Sequence, residues 1–310
     1  MPSGLRYLTC FSLCFLWSLS AVGQDKAGEK SKPSRMLFVT QSVGFKHGSV
    51  NRKDSPLSPA EIAMKTLGEQ TGLFTVDCTQ DCAADFTKEN LKKYDLVAFY
   101  TTLDLPIPED AKNYFFGEWI YEKGHGVLGF HSAGDTFHNY APYWDMMGGV
   151  FIGHPWNAGT QVTLTNHEPN HPLVASFGPE FTLKEEIYMY RHWQPAKCRV
   201  LLSLDYAKSP LNAGGKKGPV INTQYGAHVP VCWIKTIGDG KLYYNNLGHN
   251  ESSWANKQYL DSITQAVKWM RGEIECDATP NPEVSKAYEE KTQKDIREHG
   301  FETNKQVKND

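Results

Sequence analysis

Four histidines and one acidic pair lie directly after predicted strands or in glycine-rich turns, in segments that are far apart in the sequence. They are His47 in FKH, His131 in GFHSAGD, His154 in GGVFIGHP, His249 in NNLGHNESSW, and Glu185 and Glu186 in KEEIY. Histidine is the commonest metal ligand and the usual acid or base near neutral pH. Two or three imidazoles with one carboxylate suit zinc or a similar divalent ion. The sequence therefore predicts a divalent-metal site, with zinc as one candidate, whose ligands are His47, His131, His154 and His249. The predicted catalytic residues are His131, Asp135 and Glu186.

Other interpretations of these residues remain open. A single loop histidine is more often structural or solvated than catalytic, and the acidic pair could form a solvated turn. No HExxH pair fixes a ligand spacing. The chain also lacks the GxSxG elbow of α/β hydrolases, a GxxxxGK[ST] phosphate loop and a GxGxxG after its first strand, so serine hydrolase and nucleotide-binding functions are unsupported.

Aromatic residues lie near these groups. Aromatic faces beside carboxylates and amides suit a sugar ring, because its C–H faces are apolar and its rim is polar. Core packing is the competing interpretation for each ring. The predicted substrate-binding residues are Tyr100, Trp156, Tyr188 and Trp254.

The first half of the chain alternates short apolar runs with helical segments. Predicted strands cover residues 36–40, 74–77, 94–100 and 126–131, and predicted helices cover 58–72 and 108–123. The first helix has Ser58 as its cap, proline at its first position and Glu61 three residues after the serine. This alternation is typical of an α/β fold with a mostly parallel sheet flanked by helices. Ligands of such sheets bind outside the carboxyl ends of the strands.

The pattern changes after about residue 155. Predicted strands at 160–165, 198–204, 230–236 and 241–246 are joined by loops rich in Gly, Pro and Asn, and a helix covers 253–271. We predict that additional antiparallel strands extend the sheet in this C-terminal half. A single domain is expected over residues 36–276, followed by a charged tail over 277–310 that forms an exposed helix or a frayed end.

The N-terminal segment predicts a secreted or periplasmic protein. Residues 1–23 contain Arg6, an apolar run and small residues before Gln24, as in a cleaved signal peptide, with an uncleaved anchor as the alternative. Residues 24–35 are a polar linker. The 310 residues carry 32 basic and 35 acidic side chains, a net charge of −3, which argues against nucleic acid as a partner. No later apolar run is long enough for a membrane span, so no membrane partner is expected after signal removal. A local disulfide between Cys78 and Cys82 is favoured.

Six segments in order resemble the trehalose-utilisation (ThuA-like) family. They are MLFVTQSVGFKH, YDLVAFY, GVLGFHSAGD, WDMMGGVFIGHP, NHPLV with FTLKEEIYMY, and PVCWIKTIGDGKLYYNNLGHNESSW, and they span roughly residues 36–270. The resemblance implies a flavodoxin-like fold, similar to class I glutamine amidotransferases. It also implies sugar metabolism, in particular of oxidised (3-keto) glucosides and disaccharides, with a divalent metal near the histidines. Where this family often has Asp, the chain has Glu185.

The comparison with amidotransferases excludes glutaminase chemistry. Those enzymes place a nucleophilic cysteine at the turn where this chain has His131, and imidazole cannot readily replace a thiolate in forming a thioester. The leading hypothesis is a metal-dependent hydrolase or lyase acting on a glycoside or 3-keto-sugar, by hydrolysis or by elimination. The alternative is a non-catalytic carbohydrate-binding protein on the same fold. The expected partner is a small sugar or glycoside, and the sequence leaves open whether homo-oligomers form.

Overall fold

The computed structural model describes Met1 and residues 32–211 and 221–299, so nearly all of the predicted signal peptide and linker lies outside the described residues. The chain divides into two units, Met1–Lys32 and Pro33–Asp310, and the second contains every element described below. Among the described residues, no helix has the length and apolar character needed to span a membrane.

Eleven strands are described, most of them in one sheet. They are β1 (Ser34–Val39), β2 (Phe74–Thr79), β3 (Leu96–Phe99), β4 (Gly126–Phe130), β5 (Val150–Trp156), β6 (Gln161–Asn166), β7 (Glu180–Lys184), β8 (Ile187–Arg191), β9 (Arg199–Leu204), β10 (Pro230–Ile237) and β11 (Gly240–Asn245).

Seven α-helices and five 3₁₀ turns connect these strands in the described part of the chain. The helices are α1 (Pro59–Thr71), α2 (Cys82–Asp85), α3 (Lys88–Leu91), α4 (Glu109–Gly117), α5 (Ala141–Met147), α6 (Lys257–Met270) and α7 (Pro282–His299). The 3₁₀ turns are Gly48–Val50, Trp119–Tyr121, His131–Asp135, Ala175–Phe177 and Glu251–Ala255.

The main sheet has a parallel half and an antiparallel half. Its strand order is β2-β1-β3-β4-β11-β10-β9-β6-β7. Strands β2, β1, β3, β4 and β11 pair in parallel, and the pairs from β11 to β7 are antiparallel. The parallel half repeats the 2-1-3-4-5 order of flavodoxin-like folds, with β11 as the fifth strand. The predicted α/β class with antiparallel strands in the C-terminal half is therefore confirmed.

Helices cover both faces of the parallel half. Successive residues of a strand point to opposite faces, so Met36 and Phe38 of β1 join the core cluster that contains residues of α1 and α6. Leu37 and Val39 join the opposite cluster, which contains residues of α4 and α5. Burial on both faces explains why β1 is a continuous apolar run in the sequence.

Two strands beside the candidate site were not predicted. β5 and β8 form a separate antiparallel pair, in which the register shifts around Gly153. Glycine and Pro155 inside β5 interrupt the alternation that marks a strand in sequence. β7 was also missed, and only Glu185 and Glu186 separate it from β8.

The expected disulfide between Cys78 and Cys82 is not formed, because both residues are free thiols. Cys82 is buried in the core cluster beneath α4, whereas Cys78 packs against the cluster on the other face of the sheet. The sheet therefore separates the two sulfurs.

The charged C-terminal segment contains a helix that packs against the domain. Ile296 and Thr292 of α7 are buried. The Glu289 carboxylate accepts the backbone N–H groups of Ala227 and His228, both at 2.7 Å. Through these contacts α7 is attached to the segment before β10.

The capping box predicted for α1 is present and yields a first test. Ser58 Oγ accepts the Glu61 N–H, and Glu61 Oε2 accepts the Ser58 N–H at 2.8 Å. We expect Ser58→Ala to lower the free energy of unfolding by about 1 kcal/mol, because one N-terminal amide loses its acceptor. Urea denaturation measures this change. Ser55→Ala, at an exposed position in the preceding loop, is the control and should match wild type.

Candidate metal centre and pocket

Loops after three parallel strands bring three of the predicted histidines to one edge of the sheet. His47 follows β1, His131 begins the turn after β4, and His249 follows β11. Glu186 reaches the same place from the short connection between β7 and β8. One potential ligand atom from each of these four side chains lies within 4.8 Å of the others. We call His47, His131, His249 and Glu186 the cluster.

The three imidazoles of the cluster face one another nearly at right angles. The His47 ring centroid lies 4.8 Å from that of His131 and 4.9 Å from that of His249, with interplanar angles of 90° and 89°. The centroids of His131 and His249 are 5.1 Å apart. The rings are therefore close together without stacking, and each has a nitrogen within 4.8 Å of the other potential ligand atoms.

Backbone geometry and one hydrogen bond fix the orientation of His131. Its φ of +42° is left-handed, a conformation that is uncommon for a residue with a side chain. Its Nδ1 lies 2.8 Å from the carbonyl oxygen of Asn246, so Nδ1–H donates and Nε2 keeps its lone pair. Metal-binding histidines are commonly oriented in this way by a carbonyl acceptor.

Glu186 supplies the negative charge of the cluster. Its Oε1 lies 3.4 Å from His131 Nε2 and 3.2 Å from His249 Nδ1. Burial acts to raise the carboxyl pKa, but the interactions with His131 and His249 outweigh it and hold that pKa well below its usual range. The same contact raises the pKa of His249 against the effect of burial. The cluster therefore contains an ionised carboxylate at neutral pH.

His47 is a neutral imidazole with an unpartnered nitrogen. Burial, helped by His131 and His249, lowers its pKa to about 2. Its Nε2 lies 3.3 Å from the Tyr188 hydroxyl, and its buried Nδ1 has no hydrogen-bond partner among the described residues. Buried polar atoms are nearly always paired, so an orphaned imidazole nitrogen in a three-histidine, one-carboxylate group fits a metal ligand. The donor set therefore suits zinc or a related divalent ion.

His154, the fourth predicted ligand, lies outside the cluster. Its Nδ1 contacts the second oxygen of Glu186, Oε2, at 3.1 Å, and its side chain is 45% exposed. His154 thus contacts Glu186 from the solvent side. Glu186 is predicted from the sequence as a catalytic residue, and in the structure it is one of the potential metal ligands. The group of potential ligands in the structure therefore includes Glu186, and His154 lies next to it.

Glu185 holds the loop that carries His249, a role that sequence reasoning missed. Its carboxylate accepts the backbone N–H groups of Gly248 at 3.1 Å and Asn250 at 3.2 Å. It also accepts the Ser253 hydroxyl at 2.5 Å. The two adjacent glutamates therefore have different roles: Glu185 fixes the loop that carries His249, and Glu186 contacts the histidines of the cluster.

A cavity of about 260 Å³ opens beside the cluster. It is lined by His47, Glu186 and His249 of the cluster and by Phe45, Asp135, Phe151, His154 and Tyr188. Asp135 is the carboxylate of this lining outside the cluster, and its Oδ1 lies 2.7 Å from His138 Nε2. The two phenylalanines of this lining, Phe45 and Phe151, were not predicted from the sequence. The sequence feature that could have indicated Phe45 is its position two residues before His47.

Burial corrects three of the four predicted substrate contacts. Trp156 is fully buried, with its ring edge-to-face against Tyr206 and its indole N–H donated to the Ser209 carbonyl. Tyr100 is also fully buried, and Trp254 stacks on it. The Tyr100 hydroxyl and the Trp254 indole N–H both donate to the Gly248 carbonyl, so these two residues hold the loop that carries His249. Tyr188 alone of the four lines the cavity.

A larger cavity, of about 500 Å³, lies elsewhere and lacks reactive groups. It lies between α1 and the segment after β11, with a mainly apolar lining that includes Ile62, Leu67, Trp254 and Leu260. Its one carboxylate is Glu251. Without convergent polar groups it is a weaker candidate for chemistry than the smaller cavity beside the cluster.

Comparisons with known proteins agree with this fold. The family model ThuA, described as trehalose utilisation, matches residues 35–270. A solved structure of a protein described as ThuA-like, from Bacteroides uniformis, is similar with a TM-score of 0.59 and 19% identity, covering 84% of this chain and 99% of that one. Another, from Parabacteroides merdae, has a TM-score of 0.54 and 13% identity, covering 78% and 91%. No curated protein matches the chain. At these identities the structural likeness shows the fold alone.

Proposed function

The chain belongs to the ThuA family, described as trehalose utilisation, and from this premise we propose that it is a metal-assisted enzyme acting on a glycoside or a 3-keto-sugar. The observation that carries the proposal is the convergence of His47, His131, His249 and Glu186 beside a cavity. The family description supports a carbohydrate substrate. The predicted signal peptide adds that the enzyme acts outside the cytoplasm.

His47, His131, His249 and Glu186 would hold the ion. When bound there, a divalent ion would polarise a carbonyl or hydroxyl oxygen of the sugar or lower the pKa of a water molecule. Tyr188 contacts His47 through its hydroxyl and covers the His131 ring, with centroids 4.3 Å apart, so it orients both imidazoles.

Asp135 is the proposed general base. Its carboxylate lines the cavity but lies outside the cluster, so it remains free to accept a proton when the cluster residues are engaged as ligands. His138 fixes one of its oxygens. In an elimination, Asp135 would take the proton from C2, next to the 3-keto group, the bond between C1 and the glycosidic oxygen would break, and Asp135 would return the proton to that oxygen so that the aglycone leaves as an alcohol. In a hydrolysis, it would take the proton of the attacking water as the water oxygen bonds to C1 and the glycosidic bond breaks, and would pass that proton to the departing aglycone oxygen. Both routes use the same residue.

The described cysteines support no thiol mechanism. The nucleophile of the amidotransferase fold would stand at His131, and burial raises the pKa of the thiols at Cys78, Cys82, Cys198, Cys232 and Cys276. A protonated, buried thiol is a poor nucleophile.

Metal analysis with turnover assays tests the proposal. We expect the purified protein to retain about one divalent ion per chain. It should cleave 3-keto-trehalose or p-nitrophenyl 3-keto-glucoside, and a chelator should reduce that turnover at least about 100-fold, with recovery when zinc is restored.

A different outcome would favour the competing function. A protein without metal that binds these sugars equally well before and after chelation, and turns none of them over, would be a non-catalytic carbohydrate-binding protein. Chelator-sensitive binding without turnover would also contradict the enzymatic part of the proposal.

A further inference from the structure

Exposed apolar side chains concentrate at the mouth of the cavity. Val43, Phe45 and Leu103 are 50%, 68% and 39% exposed, and we call these three residues the rim patch. Apart from Met1, the other large apolar side chains that are exposed in the described part of the chain are Ile62, Tyr121 and Tyr225. Phe45 lines the cavity, and Val43 and Leu103 lie next to Phe45, so half of these exposed side chains lie near one small cavity. Exposed apolar groups gathered at one place favour a binding surface.

Hydrogen bonds join the two loops that form the rim patch. The Val43 N–H donates to the Thr102 carbonyl at 3.2 Å, and the Gly44 N–H donates to the Thr102 hydroxyl at 3.0 Å. A Cβ added at Gly44 would lie 2.7 Å from Leu103 Cδ1. The Leu103 side chain therefore rests on the backbone between Val43 and Phe45, which brings the three residues of the rim patch together.

Leu103 is held in an unusual backbone conformation by the loop that follows β4. Its φ is +55°, in the left-handed region that leucine rarely adopts. The backbone is locked there because its N–H donates to the Asp135 carbonyl at 2.7 Å and its carbonyl accepts the Phe137 N–H at 3.3 Å. The side chain is then exposed instead of buried. A strained backbone that presents an exposed apolar group beside a cavity is typical of a ligand contact.

We propose that the rim patch is a second sugar subsite, which binds the outer ring of a disaccharide whose reacting ring occupies the cavity; this inference rests on the proposed function. The cavity of about 260 Å³ is smaller than the ~300–1,000 Å³ pockets that enclose drug-sized ligands, so it has room for one sugar ring. The outer ring must then lie at the mouth. There the Phe45 ring, edge-to-face with His47 at 4.9 Å, presents an apolar surface to the C–H face of a pyranose.

The size of the patch disfavours a second copy of the chain as its occupant. A stable protein interface buries about 800 Å² on each partner, which takes some 20–30 residues a side. Three exposed side chains offer far less, and a single sugar ring is the size of ligand that so small a patch can contact.

Binding measurements with paired sugars test this subsite. Calorimetry compares trehalose with methyl α-glucoside, and the 3-keto form of trehalose with that of methyl α-glucoside, since each pair differs in the outer ring. We expect wild type to bind the two-ring member about tenfold more tightly. Leu103→Gly should bring that ratio close to one while leaving the affinity for the one-ring sugar within about twofold. Phe45→Ala should also lower the ratio, but it should weaken binding of the one-ring sugar as well, because Phe45 lines the cavity. Glycine adopts a positive φ without strain, so Leu103→Gly also preserves the fold if Phe45→Ala does not.

Ile62→Ala is the matched control, because Ile62 is 49% exposed on α1, outside the site, and its loss should leave the ratio at the wild-type value. A ratio unchanged in both rim variants would overturn the subsite and leave the proposed function standing. Wild type that binds none of the four sugars would overturn both. A concentration-dependent dimer in light scattering that Phe45→Ala dissolves would assign the patch to a second copy and overturn the subsite.

Discussion

Replacing Glu186 by glutamine is expected to weaken zinc binding at least about 100-fold, because the change removes the cluster's negative charge while keeping its shape. The carboxylate lies 3.2–3.4 Å from two imidazole nitrogens. A glutamine amide nitrogen turned toward those imidazoles could only donate, and amide oxygen is a poorer ligand than carboxylate. Metal content after dialysis against zinc, together with competition against a chromogenic chelator, measures the loss. Turnover of 3-keto-trehalose should fall in parallel.

Two neighbouring carboxylates serve as controls for this variant. Glu251→Gln changes an exposed residue two positions after His249 and should bind zinc like wild type. Glu185→Gln should instead lower stability, by about 1–3 kcal/mol, because the amide nitrogen cannot accept a hydrogen bond and so leaves some of the backbone and hydroxyl donors that Glu185 accepts without an acceptor. A Glu186→Gln protein that keeps one zinc at wild-type affinity would remove the cluster as the metal site, and with it the centre of the proposed enzyme.

The general position of the site follows from rules that apply to any parallel sheet. Side chains just after the carboxyl ends of neighbouring strands meet at one edge, so His47, His131 and His249 were placed at that edge from the predicted strands alone. The capping box of α1 was also predicted, because it involves only Ser58 and Glu61, three residues apart. Features that depend on a few adjacent residues can be recognised from the sequence alone.

The division of roles among the site residues depends on contacts that are remote in sequence. Glu185 acts through Gly248 and Ser253, more than sixty residues away, and nothing beside it in the sequence indicates this. The sequence assigns Trp156 to sugar binding because it lies near a candidate histidine. Nothing in the sequence distinguishes a buried aromatic side chain at such a position from an exposed one. Phe45 is the reverse case, since only the folded structure shows that its ring stands free at the cavity mouth.

A second large effect is expected away from the site, in the loss of stability between pH 6.5 and about 4.5. His167 and His228 lie on either side of Ser203, whose hydroxyl is 2.9 Å and 2.7 Å from their Nε2 atoms. Burial lowers the pKa of His167 to about 4 and that of His228 to about 3. The rings also pack against Tyr288 of α7, with centroids 4.4 and 5.9 Å away.

The direction of this effect follows from proton linkage. An unfolded histidine titrates near pH 6.5, so between that pH and the folded pKa the unfolded chain binds protons that the folded chain does not. Stability therefore falls as the pH falls through this window. For the two residues together, with allowance for partial exposure of their rings, we expect a loss of about 3 kcal/mol between pH 7 and 4.5.

The double variant His167→Gln with His228→Gln isolates the contribution of these two histidines to the pH dependence of the free energy of unfolding. It is compared with wild type by urea denaturation at several pH values. Between pH 7 and 4.5, the free energy of unfolding of the double variant should fall by about 3 kcal/mol less than that of wild type, whatever the stability of the variant at pH 7. His192→Gln, at an exposed histidine stacked on Trp144, should keep the wild-type slope. A wild-type slope in the double variant would mean that other groups carry the acid sensitivity. If the slope is lost as expected, hydrogen exchange in α7 should rise first in acid, because that helix packs on both rings and Glu289 attaches it to the backbone of His228.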